Sequence, residues 1–355
     1  MGIPRNVLTF AEANGQMDLV KGFRDLYNHH TKKGEYDNTV SFEDKNTKLH
    51  SAIDKSIINM MGFSADNTNF ARNTTNYREL AFAVIGNLVD SILPDTIIDT
   101  FGKFADVAIG GYGDSFKWDM RPSDLLTVTK AGNGKRHAFA QRQFNGVATL
   151  IPENHMITVE EDLYRILAGK RNLAEYAVKI MQAMESEISV DLFTVIDNLY
   201  ATIPAQFKEA SWGEDAFVTL TQRVAAFNAG SRPVVFGTKL ALAHVVPSNV
   251  IYNDKLGEEY YRTGYLGMFK GTELFEIPQK AMWNSSTYAM RLDDTRLYVV
   301  STGVNKLVKL AIEGDTLSYT DTAPNANANL TQVSTVHKRW VAGVISNAFF
   351  GILDV

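Results

Sequence analysis

The sequence contains no cysteine among its 355 residues. Disulfide cross-links, thiolate nucleophiles and cysteine-ligated metal centres are therefore excluded, which suits a reducing cytoplasm. The N-terminal stretch MGIPRNVLTFAEANG has no apolar core of a signal peptide, and Asn6 stands where a myristoylation signal has Ser or Thr. Continuous apolar runs fall far short of the roughly 20 residues that span a bilayer. We therefore expect a soluble, intracellular protein without a membrane partner.

The chain also lacks a strong excess of one charge. Its formal net charge is only −5, with 45% hydrophobic and 21% charged residues. Such a composition is typical of a globular protein, since disordered chains are less hydrophobic and more highly charged. It provides no overall positive field of the kind that binds nucleic acid nonspecifically.

Motifs for catalysis or cofactor binding are missing as well. The seven histidines form neither an H-E-x-x-H motif nor an i, i+4 pair, and no G-x-S-x-G or Walker sequence occurs. The stretch GYLGMFKGTELFEIPQ has glycines at 264, 267 and 271, but a nucleotide fingerprint needs G-x-G-x-x-G between a strand and a helix. We interpret these glycines as turns or points of close backbone approach. No catalytic, cofactor-binding or metal-binding residue is predicted, although an α+β enzyme with an unrecognised site stays an alternative.

Apolar periodicity predicts helices in the first 110 residues. One apolar face is carried by Met17, Val20, Phe23 and Tyr27, and a second by Leu49, Ile53, Ile57 and Met60 or Met61. The polar stretch SADNTNFARNTTNY is typical of a linker. The apolar segment that follows it, at 79–109, is expected to be broken by Pro94.

Short strand-like segments begin after Gly110, and Gly132-Asn133-Gly134 predicts a β-hairpin tip. Thr158 with Glu161 fits a capping box, so a helix is predicted to begin at 158. A long helical pattern runs from 172 to 203, and residues 215–355 mix helices with strands. Together these patterns indicate an α+β fold.

The predicted hairpin is basic. No acidic residue occurs between Asp124 and Glu153, whereas four basic residues do: Lys130, Lys135, Arg136 and Arg142. Three roles are open to these residues. They could form a solvated face, or contact an acidic surface on another protein chain. The third role, contact with nucleic acid, is only weakly indicated because no aromatic residues cluster with them. An isolated two-stranded ribbon is only marginally stable in water, so support from a neighbouring subunit is the preferred interpretation.

This order of elements resembles the major capsid proteins of tailed bacteriophages, which have the Hong Kong 97-type fold. The segments NDKLGEEYYRTGYLGMFKGTELFEIPQ and SRPVVFGTKLALAHVVP are similar to parts of that family's axial domain, and the resemblance covers 110–355. It implies an N-terminal helical arm (1–110), an extended loop formed by a β-hairpin (111–157), and a peripheral domain with a spine helix (158–215). An axial domain (216–295) and returning peripheral-domain strands (296–355) would follow.

The resemblance implies a structural subunit that self-assembles into an icosahedral capsid around phage double-stranded DNA. Such a protein is not an enzyme, needs no cofactor, and is found in the virion after assembly in the bacterial host cytoplasm. Its partners would be many copies of itself in hexamers and pentamers, together with portal, scaffold and decoration proteins, and DNA contacted weakly without sequence specificity. An encapsulin-like nanocompartment shell is the close alternative.

Two groups of residues are candidates for the interface between subunits. The loop group is Lys130, Asn133, Gly134, Lys135, Arg136 and Arg142. The acidic group expected to receive the loop of a neighbour is Glu160, Glu161 and Asp162, and further on Glu185 and Glu187. Some family members cross-link a loop lysine to an asparagine, but no acceptor can be matched here to Lys130 or Lys135.

Overall fold

A computed structural model describes residues 17–61, 74–103, 105–120, 126, 128–130, 140–162, 172–247, 254–283, 286–302, 306–321 and 331–355. Its helices are α1 (Met17–Thr31), α2 (Phe42–Met61), α3 (Thr74–Phe101), α4 (Leu173–Asn198), α5 (Glu214–Phe227), α6 (Lys239–Ala243) and α7 (Asp254–Thr263). Its strands are β1 (Ala105–Gly110), β2 (Phe116–Met120), β3 (Gly146–Leu150), β4 (Glu153–Asp162), β5 (Lys208–Glu209), β6 (Pro233–Gly237), β7 (Met268–Phe269), β8 (Thr272–Glu276), β9 (Arg296–Ser301), β10 (Val308–Asp321), β11 (Thr331–Val344) and β12 (Gly351–Asp354). The predicted α+β class is confirmed.

The strands form a four-stranded sheet, a six-stranded sheet and a separate two-stranded ribbon. The four-stranded sheet has the order β1-β10-β11-β4, and the six-stranded sheet has the order β5-β12-β9-β6-β8-β7. Strands β9 and β12 therefore lie in the same sheet as β6 and β8 of the predicted axial domain, although the sequence assigned 296–355 to peripheral strands. Their apolar residues account for this, because Leu297, Val299 and Ile352 are buried in the core of that sheet. Strands β10 and β11 are instead the two central strands of the four-stranded sheet.

Helix α4 lies within the stretch 172–203 that is predicted to be helical, and is called the spine below. Asn172 caps its N-terminus, with the side-chain oxygen accepting hydrogen bonds from the N–H groups of Ala174 (3.0 Å) and Glu175 (3.3 Å). The helix has 26 residues, which corresponds to a length of about 39 Å. Burial of residues such as Met181 and Ile188 places it in the middle of the hydrophobic core.

The N-terminal helices pack against the chain's own spine. Phe23 of α1 and Ile53 of α2 are fully buried in the same core cluster as Ile188 of α4. The predicted apolar faces are thus confirmed where the structure describes them, but they are covered within the same subunit. The described part of the N-terminal arm, 17–61, therefore packs on its own subunit.

Helix α3 corrects two expectations about this region. The last four residues of the predicted polar linker begin α3, where the Tyr77 hydroxyl donates a hydrogen bond to Asp54 of α2. The helix also continues through Pro94. Proline costs one backbone hydrogen bond, but its neighbours Leu93 and Ile97 are fully buried, so core packing outweighs the loss. The helix ends at Phe101, and 105–110 forms β1 instead.

Within the described residues, α3 contains one segment, Glu79–Phe101, that is long and apolar enough to cross a membrane. Its apolar 18-residue window is 72% buried inside the fold. A core helix has these properties because its apolar surface is covered on most sides by the protein itself. We therefore interpret α3 as a core helix.

The helix predicted to start at 158 does not form. Residues 153–162 are strand β4, which pairs with β11 in antiparallel register from Glu153↔Trp340 to Asp162↔Thr331. The β-branched run Ile157-Thr158-Val159 favours a strand, and its alternate residues face the core and the solvent. The capping-box pattern at Thr158 was therefore a wrong indication, and the acidic residues after it lie on a sheet edge.

Two of the three glycines of GYLGMFKGTELFEIPQ adopt positive φ, as the interpretation as turns requires. Gly264 (φ +84°) ends α7, and its N–H donates to the Tyr260 carbonyl at 2.7 Å. Gly271 (φ +82°) follows Lys270 (φ +48°) in the tight turn between β7 and β8. These glycines shape the backbone, since an L side chain is strained at such angles.

Carboxylates along α4 attach it to separate parts of the chain. Glu187 forms a two-pronged ion pair with Arg291, and Asp191 accepts a hydrogen bond from the Trp340 indole at 2.8 Å. Asp197 pairs with Arg296 at 2.6 Å and also accepts from the Tyr298 hydroxyl.

Glu185 attaches α4 to the N-terminal region in the same way. It accepts a hydrogen bond from the Tyr27 hydroxyl and lies 3.0 Å from the Lys33 ammonium. Burial alone favours its neutral form, but the hydrogen bond from Tyr27 and the charge of Lys33 outweigh burial and hold the pKa of Glu185 below its usual range.

We expect Glu185→Gln to lower the free energy of unfolding at pH 7 by about 1.5–3 kcal/mol, the usual value of a charge-assisted hydrogen bond. The folded-state pKa is depressed, so this stabilisation is present above the unfolded pKa of about 4.3 and is lost as pH falls through the folded value. Urea unfolding of both proteins between pH 7 and 3 should show the difference shrinking below pH 4. Glu175→Gln, on the exposed side of the same helix, is the control. A difference that is constant with pH would contradict the assignment.

Candidate assembly interface

The outward face of the four-stranded sheet is half covered by the β2–β3 ribbon. Phe116 of β2 lies against Gly110, and Leu150 of β3 lies against Gly343, where an added Cβ would be 3.0 Å and 2.7 Å from these side chains. The glycines thus leave room for the ribbon to rest directly on the sheet. The sequence suggested that a neighbouring subunit supports the ribbon, whereas its base is supported by the chain's own sheet.

No described residue covers the other half of this face in this way. Leu317 of β10, His337 of β11 and Met156 of β4 lie side by side in register, and Tyr319, Thr335 and Thr158 form the next row. Leu317, Met156 and Tyr319 are 54%, 61% and 64% exposed. We call the surface formed by these two rows the open sheet face. Three exposed apolar side chains thus share one face with His337, Thr335 and Thr158, and exposed apolar surface of this kind marks interaction surfaces.

The extended loop also presents apolar and basic side chains to solvent. Its exposed large apolar residues include Leu126, Val128, Phe144, Val147 and Ile151. Lys130 and Arg142 are exposed too. Asn133, Gly134, Lys135 and Arg136 lie outside the described residues, so the predicted hairpin tip stays a prediction.

The acidic candidates fall into two groups. Glu160 is exposed on β4, on the same side of the sheet as Met156 and Thr158, at the edge of the open sheet face. The backbones of Glu161 and Asp162 pair with Gln332 and Thr331 in the same ladder.

The two spine carboxylates Glu185 and Glu187 are both paired within the chain. Glu185 is buried with Tyr27 and Lys33, so the expectation that it receives the basic hairpin is wrong. Glu187 is paired with Arg291 but its side chain is 37% exposed, so its contact with the hairpin stays a prediction.

A set of polar contacts holds the two ends of the loop against the sheet. The Gly113 N–H donates to Glu313 Oε1 at 2.7 Å, Glu313 Oε2 lies 3.1 Å from Arg339 Nη1, and Arg339 Nη2 donates to the Pro152 carbonyl at 2.8 Å. The Tyr112 hydroxyl donates to the Asp315 carbonyl. Burial, followed by the charge of Asp315, raises the pKa of Tyr112, which keeps the hydroxyl protonated as a donor.

Among the described residues, no group of three or more His, Asp and Glu side chains could hold a metal ion. What the arrangement offers is protein binding: an open apolar face, one exposed carboxylate, and a loop with apolar and basic side chains.

The sequence could have indicated the open sheet face only weakly. Leu317 and Tyr319 alternate with Ser318 and Thr320, which is the pattern of a strand with one apolar side. That pattern does not reveal which side meets the core, and a β-bulge between Glu313 and Leu317 changes the register in between.

Comparison with known proteins identifies one family. The family model YonB, described as "SPbeta prophage-derived putative capsid protein YonB", matches residues 22–354. Comparison with curated proteins finds no match.

Solved structures similar to this chain include phage capsids at low sequence identity. The head of Helicobacter pylori bacteriophage KHP40 has a TM-score of 0.49 at 11% identity, covering 72% of this chain and 90% of that one. The capsid of cyanophage P-SCSP1u has a TM-score of 0.48 at 12% identity, covering 72% and 87%. The bacteriophage PhiM1 mature capsid has a TM-score of 0.47 at 10% identity, covering 72% and 86%.

The family match extends over nearly the whole chain, from the middle of α1 to the last strand, and favours a phage shell over an encapsulin-like compartment. It confirms the resemblance to tailed-phage capsid proteins. The chain belongs to this family of prophage-derived capsid proteins and is a structural subunit of a phage capsid shell.

Proposed function

We propose that copies of this chain form a closed icosahedral shell of hexamers and pentamers around a double-stranded DNA genome. The shell assembles in the bacterial host cytoplasm, and each subunit acts by packing against its neighbours, without catalysing a reaction. Portal, scaffold and decoration proteins are its other partners. A small net charge of −5 fits weak contact with DNA that reads no sequence.

The half-covered outward face of the four-stranded sheet is the observation that carries this proposal. The ribbon of the same chain covers the half next to the loop ends, and Leu317, Tyr319 and Met156 leave an apolar area beside it. The occupant we propose is the extended loop of a second copy. Its exposed Val128 and Phe144 would supply apolar contacts. Each copy then contributes one loop and one open face, so contacts repeat from subunit to subunit until the shell closes.

Charge favours the same pairing. Lys130 and Arg142 of the loop are exposed cations, and Glu160 borders the open sheet face. Each exposed pair contributes only about 0.2–1 kcal/mol and is weakened by salt. Because the contact is repeated in every copy, such small contributions affect whether shells form.

We expect the double variant Lys130→Glu/Arg142→Glu to form fewer shells and to lose them at lower salt than the wild type. Adding Glu160→Lys should restore part of the yield, since the charges are then exchanged. Particle yield across a sodium chloride series, measured by sedimentation, is the readout. Lys48→Glu/Lys55→Glu on exposed sites of α2 is the matched control for net charge. Equal yields for wild type and the loop variant at every salt concentration would refute the charge pairing.

A further inference from the structure

The two ends of the extended loop are joined by one pair of side chains. Glu313 of β10 accepts the Gly113 N–H at the outgoing end, and Arg339 of β11 donates to the Pro152 carbonyl at the returning end. Glu313 and Arg339 are opposite each other in the β10–β11 ladder and form an ion pair at 3.1 Å. A continuous path of polar contacts therefore runs from one end of the loop to the other across two strands.

Both Glu313 and Arg339 are needed to connect the two ends of the loop. The Glu313 side chain is only 5% exposed and its Oε2 makes no hydrogen bond, so the charge of Arg339 at 3.1 Å is what offsets the burial of this oxygen. The Arg339 guanidinium uses one nitrogen for Glu313 and the other for Pro152. A lysine ammonium has the same charge but lacks this rigid fork, so it would serve the two acceptors less well.

The backbone next to Glu313 is fixed from both sides of the sheet. The register of β10 shifts between Glu313 and Leu317, and Gly314 (φ +66°) lies under the Tyr112 ring, 2.4 Å from an added Cβ. From the core side, the Lys338 ammonium donates to the Gly314 carbonyl at 2.8 Å. The bulge and these contacts therefore fix the backbone next to Glu313.

We propose that Glu313 and Arg339 form a strut that sets the direction in which the extended loop leaves the subunit. The loop ends at 113 and 152 are held at a fixed separation on the sheet, so the loop reaches a neighbouring copy at a defined angle. The strut is a positioning device. Its role in shell formation rests on the proposed function, whereas its effect on loop direction is a property of the single subunit.

Distance measurement on the unassembled subunit tests the strut independently of shell formation. Because the chain has no cysteine, Lys117→Cys on β2 and Lys179→Cys on α4, both at exposed sites, accept spin labels at two defined positions only. We expect one narrow distance distribution in the wild-type background. Arg339→Gln and Glu313→Ala should broaden it, and Arg339→Lys should fail to restore it.

Hydrogen exchange of the 111–120 segment gives a second readout. Loss of a hydrogen bond to a charged group, about 1.5–3 kcal/mol, corresponds to roughly 10- to 150-fold faster exchange of the Gly113 amide in Glu313→Ala. The control is Arg223→Gln, because Arg223 also contacts a carbonyl (Gln206) and lies 4.0 Å from a carboxylate (Glu209), but next to β5, and its side chain is 31% exposed against 39% for Arg339.

The outcomes separate the two proposals. Unchanged distances and exchange in Arg339→Gln and Glu313→Ala would overturn the strut, whatever the assembly of these variants. If these variants change the distances but the wild-type chain never assembles, the strut is supported and the shell proposal is refuted. If Arg223→Gln broadened the distances as much as Arg339→Gln, the effect would be general destabilisation and the strut would be rejected.

Discussion

Replacing Lys338 by methionine is expected to lower the free energy of unfolding by about 3–5 kcal/mol. Lys338 and Asp90 form an ion pair of 2.6 Å in which the side chains are 4% and 5% exposed. Asp90 also accepts the backbone N–H and the hydroxyl of Thr316, each at 2.6 Å. The variant leaves a buried carboxylate without its cation, and this cost is far greater than that of losing a surface pair.

Two further variants make this prediction specific. Lys179→Met removes an exposed lysine paired with Glu175, and should change stability by no more than about 0.5 kcal/mol. The double variant Asp90→Asn/Lys338→Met removes both charges, so it should be more stable than Lys338→Met alone. Urea unfolding of the unassembled subunit measures all three. A cost below about 1 kcal/mol for Lys338→Met would mean that the buried pair does not hold α3 to β10 and β11 as described.

The variant Leu317→Glu is expected to abolish shell formation while the subunit stays folded. Leu317 lies on the open sheet face, in the same row as His337 and Met156. In the free subunit it is more than half exposed, so a carboxylate there should change stability by no more than about 0.5 kcal/mol. Covered by the apolar Val128 and Phe144 of a neighbour's loop, that carboxylate would lose its water, at a cost of several kcal/mol in every copy.

Leu317→Met is the matched control, because it keeps an apolar side chain of similar volume at the same position. It should assemble like the wild type. Thermal unfolding of the subunits and electron microscopy of the particles provide the two readouts. Normal shells from Leu317→Glu would show that the open sheet face stays in contact with solvent in the particle.

Local sequence patterns predicted the helices well where periodicity is long. The apolar spacing of Val20, Phe23 and Tyr27 identified the buried side of α1, and Asn172 marks the start of the spine. The same reasoning failed at 158, where a capping-box pattern coincided with a β-branched strand. Pairing with β11, nearly 180 residues away, decides that conformation, and such a contact leaves no local signal.

The candidate interface was predictable only in part. The stretch without acidic residues between Asp124 and Glu153 contains Lys130 and Arg142, which are exposed, and its place in an interface stays a prediction. Burial could not be read from the charges themselves, so Glu185 was expected to be available although it is buried and paired within the chain. The Glu313–Arg339 pair depends on the β10–β11 register, which a bulge shifts next to Glu313.

The most direct test of the shell function is the particle mass of the purified wild-type protein across a concentration series. Mass photometry and negative-stain microscopy should show closed megadalton particles, or rings of subunits that precede them. A monodisperse monomer of 39.5 kDa at every concentration would contradict assembly through the loop and the open sheet face.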